Sequence, residues 1–275
     1  MPAIPINYFY NCSFINPLWR FAAQAKTFRK QVRCLLLMVL STAALFFIST
    51  NTYSQRIKIT GKVFLEGPFD ESKSAMVANL KMDSLVANGL VPGAPINLAV
   101  PTTITRGYNA VDAVKLCLLR GDYSRYDSVY AWLAEDGFLY DIYTGTSKTI
   151  AFNSAPEGNY YLEIRHRNHL AIMYTTFLSL KFTTTLFFDF TNISNIYRNG
   201  AIMVNANSCA MIGGNASGDQ KGEVNASDLY EVSKDGDNLR TGYLLTDVDM
   251  NGVVNALDRQ LTLEHNLKLY NSKVP

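Results

Sequence analysis

The sequence predicts a mainly β protein, with an antiparallel β-sandwich over residues 56–204 followed by a small α-helical domain over residues 205–275 built from two loop–helix repeats. Three observations point there. Between residues 56 and 190, short runs of alternating apolar and polar residues are separated by turn residues, with little helical spacing. After Met203, Asn, Asp and Gly become frequent and aromatic residues thin out. A short residue pattern then occurs twice, 30 positions apart, as an internal repeat.

Composition sets the outer limits. The 275 residues are 48% hydrophobic and 17% charged, enough apolar material for one or two packed domains. Net charge is +2 with scattered Lys and Arg, so the chain carries no electrostatic footprint for nucleic acid.

Residues 1–54 read as a lead and a secretory signal peptide. Arg29, Lys30 and Arg33 precede an apolar run over 34–48, and small polar residues come next, up to an expected cleavage after Ser54. A run of about 15 residues is short for a bilayer-spanning helix, which needs roughly 20. An uncleaved anchor is therefore the weaker reading, and no permanent membrane span is expected after cleavage. Export places the protein outside a bacterial cell or on its surface. Residues 1–27 are a long lead for such a signal, and a downstream translation start is the alternative. The mature chain keeps Cys117 and Cys209, too few for a disulfide framework. A single bridge between them stays open beside the reading of Cys117 as a buried thiol in an apolar strand.

Strands are expected at 57–65, 112–119, 127–133, 138–143, 159–165, 170–178 and 183–190. Asp136 and Gly137 between two alternating runs predict a tight hairpin of type I′, because both tolerate positive φ. Residues 74–90 show some helical spacing, but Gly89, Pro92, Gly93, Pro95 and Pro101 interrupt the chain from there to residue 106, which predicts a long loop with one irregular helix. Strands this short and regularly spaced favour a sandwich over a parallel α/β sheet.

The repeat carries the chemistry. Gly222, Val224, Asn225, Ala226 and Asp228 recur as Gly252, Val254, Asn255, Ala256 and Asp258. In the second copy Asp247, Asp249 and Asn251 occupy loop positions 1, 3 and 5, Gly252 the turning position 6, Val253 the carbonyl position 7, Asn255 position 9 and Asp258 position 12. That is the spacing of a calcium loop, in which a turning backbone presents about six to eight oxygens to one hard cation. Asn255 would act directly or through a water.

The first copy is less regular. On a 12-residue frame Lys221 would face the ion; with Gln220 and Lys221 as an insertion, the ligands become Asn215, Ser217, Asp219, the Glu223 carbonyl, Asn225 and Asp228. The insertion frame is preferred. Two Ca2+ sites are expected, the second stronger because it holds more carboxylates. Asn/Asp-rich turns that merely cap helices are the competing reading.

Two such loops, each with one exiting helix, resemble the dockerin domain of the type I repeat. Thr241, Gly242, Tyr243 and the run 247–258 are similar to the dockerin-like tail of bacterial secreted and surface proteins of a hemagglutinin-like group, and 62–67 and 158–170 resemble the β-domain paired with it. The resemblance implies calcium-dependent docking onto a cohesin-like or other extracellular protein partner, often in polysaccharide-degrading assemblies. The stretched first loop and the dissimilar exit helices depart from the pattern, so no recognition surface carries over.

Arg165, His166, Arg167, Asn168 and His169 form the most polar stretch of the β-domain. It reads as a hairpin tip whose side chains bond neighbouring loops, with ligand binding, including metal ligation by the two histidines, as the alternative. Leu162 and Ile164 should face inward, and Tyr161, Glu163 and Arg165 outward. The chain has three histidines and no serine elbow, metalloprotease pair or phosphate loop. A non-catalytic module is therefore favoured over an enzyme. A secreted carbohydrate-binding or glycan-active protein is the second hypothesis, with Tyr108, Tyr123, Tyr126, Tyr140 and Tyr143 as candidate sugar platforms or ordinary packing residues.

Overall fold

The computed structural model describes residue 33 and residues 55–94, 109–217 and 222–275. Apart from Arg33, the signal segment lies outside the described residues, as do Tyr108 and Asp219. Residues 55–275 form one compact unit.

Among the described residues thirteen strands occur in chain order: β1 Lys58–Lys62, β2 Phe69–Asp70, β3 Ala75–Met76, β4 Ala110–Leu119, β5 Arg125–Ala134, β6 Leu139–Asp141, β7 Ile150–Ala151, β8 Gly158–Arg165, β9 Ile172–Met173, β10 Leu178–Leu180, β11 Thr185–Asp189, β12 Ile202–Met203 and β13 Cys209–Ala210. Between residues 55 and 275 the described residues also form helices α1 Met82–Ala87, α2 Ala226–Asp237 and α3 Ala256–Leu267 and two short 3-10 turns between β11 and β12. The larger sheet runs β10-β8-β4-β5-β6, with β9 also on β8, and all its pairs are antiparallel. The smaller sheet, β11-β1-β7, corrects the expectation of a wholly antiparallel protein: β1 pairs β11 in parallel, from Lys58 opposite Thr185 to Lys62 opposite Asp189. A parallel pair needs a long crossover, and here most of the larger sheet is that crossover.

Alternation along β4 explains the layering. Val114, Leu116 and Leu118 point into the main core, where they meet Ile59 of β1, Leu162 and Ile164 of β8 and Phe188 of β11. Full burial of each such side chain contributes about 1.5–3 kcal/mol. The opposite face of β4 is covered too: Ala113 packs with Trp132, Tyr140 and the α1 residues Met82 and Val86, while Cys117 and Leu119 pack with Met173, Tyr197 and Val274. Two-sided cover is why this strand is apolar nearly throughout. It also corrects one facing: Glu163 is buried on that second face, its Oε1 accepting from Arg165 Nε at 2.8 Å. Cys117 and Cys209 are both buried free thiols in separate clusters. Tyr140 is buried, whereas Tyr123 stacks on Tyr161 and Tyr143 is exposed.

The hairpin between β5 and β6 is tight but not type I′. Gly137 N donates to the Ala134 carbonyl at 2.9 Å and Ala134 N to that of Phe138 at 3.0 Å, and in this turn Gly137 alone has positive φ, at 80°. Asp136 instead accepts from Phe138 N through its side chain at 3.1 Å, a three-residue loop closed by a glycine bulge.

The expected boundary at 204/205 falls inside packed structure. Cys209, Ala210 and Met211 belong to the main core, and Met211 N donates to the Phe64 carbonyl at 2.8 Å while Glu66 N donates to that of Met211 at 3.1 Å. The chain leaves the core after Gly213 and enters two loop–helix units that bond each other reciprocally. Val224 N donates to the Tyr270 carbonyl, just past α3, and Val254 N to the Arg240 carbonyl, just past α2, both at 2.9 Å. Each loop is thus closed by the end of the other repeat. Val232, Val248, Val254 and Ala216 are the buried apolar residues of the small core between them.

Candidate metal centre

Both loops are organised by an aspartate in the first turn of the helix that comes after them. In the second, Asp258 Oδ1 accepts from Val248 N at 2.7 Å and Asp249 N at 3.0 Å, and its Oδ2 from Asn255 N at 2.9 Å. In the first, Asp228 Oδ1 accepts from Ala216 N and Ser217 N, both at 2.7 Å, and its Oδ2 from Asn225 N at 2.8 Å. These matching bonds set Asn215 opposite Asp247 and Ser217 opposite Asp249, with two more residues in the first loop before its aspartate. Gly222 and Gly252 both carry the positive φ that the sharp turn requires, 66° and 88°.

Asn225 and Asn255 are helix caps: their Oδ1 atoms accept from Ser227 N and Leu257 N, both at 2.7 Å. Asn255 Nδ2 lies on the Val253 carbonyl at 3.1 Å, and Asn225 Nδ2 on Glu223 Oε1 at 3.2 Å. Asn251 braces the second loop, donating to Asp249 Oδ2 at 2.8 Å and accepting from Val253 N at 2.9 Å.

Carboxylate oxygens of Asp247, Asp249 and Asp258 converge within 4.8 Å of one another. Asp247 Oδ2 accepts from Gly252 N at 3.0 Å, but its Oδ1 is buried with no hydrogen-bond partner. At the equivalent place in the first loop, Asn215 Oδ1 is also buried without a partner. A buried, unsatisfied oxygen costs about 1–3 kcal/mol, so its recurrence at the first position of both loops is not a feature of simple turns. Burial and the neighbouring Asp258 raise Asp247 to about 6 and Asp249 to about 7, despite the backbone donors. Three crowded carboxylates beside a buried, unpartnered oxygen have the chemistry of a site for a hard divalent cation. The first loop offers Asn215, Ser217 and Asp228 at the corresponding places and carries less charge.

Residues 165–169 tie the second loop to the sandwich. Asn168 Nδ2 donates to the Asp247 carbonyl at 2.8 Å and to that of Leu245 at 3.2 Å, and Arg167 donates to that of Leu244. Arg167 Nε also meets Asp112 Oδ2 at 2.9 Å, and its guanidinium lies over the Tyr243 ring, whose hydroxyl donates to Asp112 Oδ1 at 2.6 Å. Burial alone would raise Asp112, but Arg167 and His166 overcome it and hold the carboxyl well below its usual range. Burial, with Asp112 beside it, pushes the Tyr243 hydroxyl far up, so it stays a donor.

The histidines continue this chain with assignable protons. Gly67 N donates to His169 Nε2 at 3.4 Å, so the His169 proton sits on Nδ1, shared between Asn168 Oδ1 at 2.8 Å and His166 Nδ1 at 3.0 Å. His166 then donates from Nε2 to Asp112 Oδ2 at 3.1 Å. Burial lowers both histidines, in keeping with two neutral rings. The third histidine makes a separate tie: His265 meets Glu66 at 3.1 Å and the Gly213 carbonyl at 2.8 Å, and Glu66 outweighs the effect of burial to raise its pKa. Residue order did not mark Asp112, Tyr243, Glu66 or His265 as site residues. The available signal was Asp112 itself, the one acid in a strand that is apolar nearly throughout.

No family model matches the chain, and no curated protein matches it. Among solved structures, two type II cohesin–X–dockerin complexes from Acetivibrio cellulolyticus match distantly. An N-terminal interface mutant is 15% identical with a TM-score of 0.34, over 55% of this chain and 79% of that one. A C-terminal interface mutant is 12% identical with a TM-score of 0.37, over 76% of this chain and 94% of that one. Likeness this distant assigns neither fold nor partner.

Proposed function

We propose that this chain is a non-catalytic, exported module whose paired loops bind two calcium ions, the second more tightly, and that the ions hold its helical tail in a docking-competent shape. The observation that carries the reading is the buried, unpartnered Oδ1 at the first position of both loops. In the second loop Asp247, Asp249, Asn251, the Val253 carbonyl and Asp258 would surround the ion, with Asn255 capping the helix beneath. In the first, Asn215, Ser217, Asp219, the Glu223 carbonyl and Asp228 would do so with less charge. Ion binding that requires the folded loops adds directly to folding free energy.

The ions would rigidify two helices that expose large apolar side chains: Tyr230 on α2, and Leu257 and Leu267 on α3, which are 64%, 61% and 73% exposed. Such residues suit a protein partner, in line with the dockerin resemblance and a cohesin-like extracellular occupant. Export is supported by the basic and apolar pattern of residues 29–54. No helix of the described residues is long and apolar enough to cross a membrane.

Calcium titration by calorimetry tests this. A stoichiometry of two with unequal affinities is expected; heat for one ion would confine the reading to the second loop, and no heat would remove it.

A further inference from the structure

We infer that the cleft between the second face of the larger sheet and the repeat domain is a binding site for a small hydroxylated carboxylate. The cavity, of about 720 Å³, is walled by β4, β5 and β8, by the 165–171 segment, and by Asn215, Gly222 and Ser272 opposite. That volume lies within the range of roughly 300–1,000 Å³ usual for small-molecule sites.

Two charged side chains of its wall are buried and incompletely satisfied. Glu163, 1% exposed, gives Oε1 to Arg165, but its Oε2 has no partner. Arg167, 9% exposed, spends Nε on Asp112 and Nη1 on the Leu244 carbonyl, but its Nη2 has no partner. Asn215 Oδ1, the third such atom on this wall, is accounted for by the first loop. A buried charged group left short of one bond is costly, so the wall calls for a ligand with an acceptor for Arg167 and a donor for Glu163.

Charge selects the ligand class. Lys115, Arg125, Arg165 and Arg167 line the cleft, and Glu163 is the one acidic side chain among its lining residues. Lys115 Nζ also lies 5.4 Å from the centre of the Tyr130 ring, an aromatic surface on the same wall. A carboxylate set on the cations with a hydroxyl donating to Glu163 Oε2 satisfies both ends; a neutral polyol or a plain carboxylate satisfies one.

Titration of the calcium-saturated protein with glucuronate, glucose and acetate reads this out. Glucuronate should bind at least tenfold more tightly than either of the others. The rim variant Lys115→Ala/Arg125→Ala, whose residues take no part in the loops, and the near-isosteric Glu163→Gln should each weaken it tenfold or more. Equal binding of glucose, no binding of glucuronate, or unchanged affinity in the rim variant would overturn the site. Calcium stoichiometry measured on the same samples separates the two readings: loss of glucuronate binding with two ions retained counts against the cleft alone, and the reverse against the loops alone.

Discussion

Asn168 donates from Nδ2 to the main-chain carbonyl of Asp247 at 2.8 Å, so the first residue of the second loop is held by a side chain of the sandwich. The loop is therefore not a free appendage. Its geometry depends on a hairpin 79 residues earlier.

Replacing Asn168 by Ala leaves the buried carbonyl of Asp247 and the partly buried one of Leu245 without this donor. A loss of about 1–3 kcal/mol in stability is expected, together with weaker calcium binding at the second loop. Denaturant unfolding with and without calcium measures both; equal affinity to the native protein would uncouple loop and sandwich.

Asp247→Asn should act with opposite signs in two media. In chelator it removes one of three crowded carboxylates and stabilises the fold by roughly 1–2 kcal/mol at neutral pH. In calcium it removes a charged ligand and lowers Tm. Thermal melts in both media, compared with the native chain, show whether the sign reverses.

The pH dependence without metal comes from the same crowding. Asp247 and Asp249 are raised from 3.8 to about 6 and about 7, so in this interval the folded chain keeps protons that the unfolded chain has released. The contribution of these groups is full below about 3.8 and is lost as pH rises through 6 to 7. In chelator they should make the protein more stable at pH 5 than at pH 7.5, and calcium binding at pH 6 should release protons. Calorimetry in buffers of different ionisation enthalpy counts them.

Tyr243→Phe removes the hydroxyl that donates to buried Asp112, at an expected cost of about 1–3 kcal/mol. Asp112→Asn should cost more, about 3–5 kcal/mol, because it leaves the Arg167 charge buried without its counterion. Equal melting temperatures for the two variants would mean that Arg167 finds another partner.

Gly67 tests the close approach of sandwich and loop. A Cβ there would overlap the carbonyl oxygen of Val248, between two of the clustered aspartates. Gly67→Ala must displace the backbone, and calcium affinity at the second loop should fall about tenfold, one order in the binding constant for each 1.4 kcal/mol. Isothermal titration of this variant gives the value directly.

The convergence of Asp247, Asp249 and Asp258 was readable from residue order because the three lie within twelve positions, and local backbone geometry alone brings that spacing together. The main strands were readable for a similar reason, since period-two alternation is a local record of which face is buried. Only the tertiary structure decided the features whose energy depends on distant partners. The parallel pairing of β1 with β11 leaves no local mark, and Glu163 sits inside because the far face of its sheet is also covered. The polar stretch 165–169 read as a hairpin tip that bonds neighbouring loops, but residue order did not say which; Asp112 lies 55 positions from Arg167 and 131 from Tyr243, and their charges and hydroxyl became a buried junction only when the fold removed the water between them.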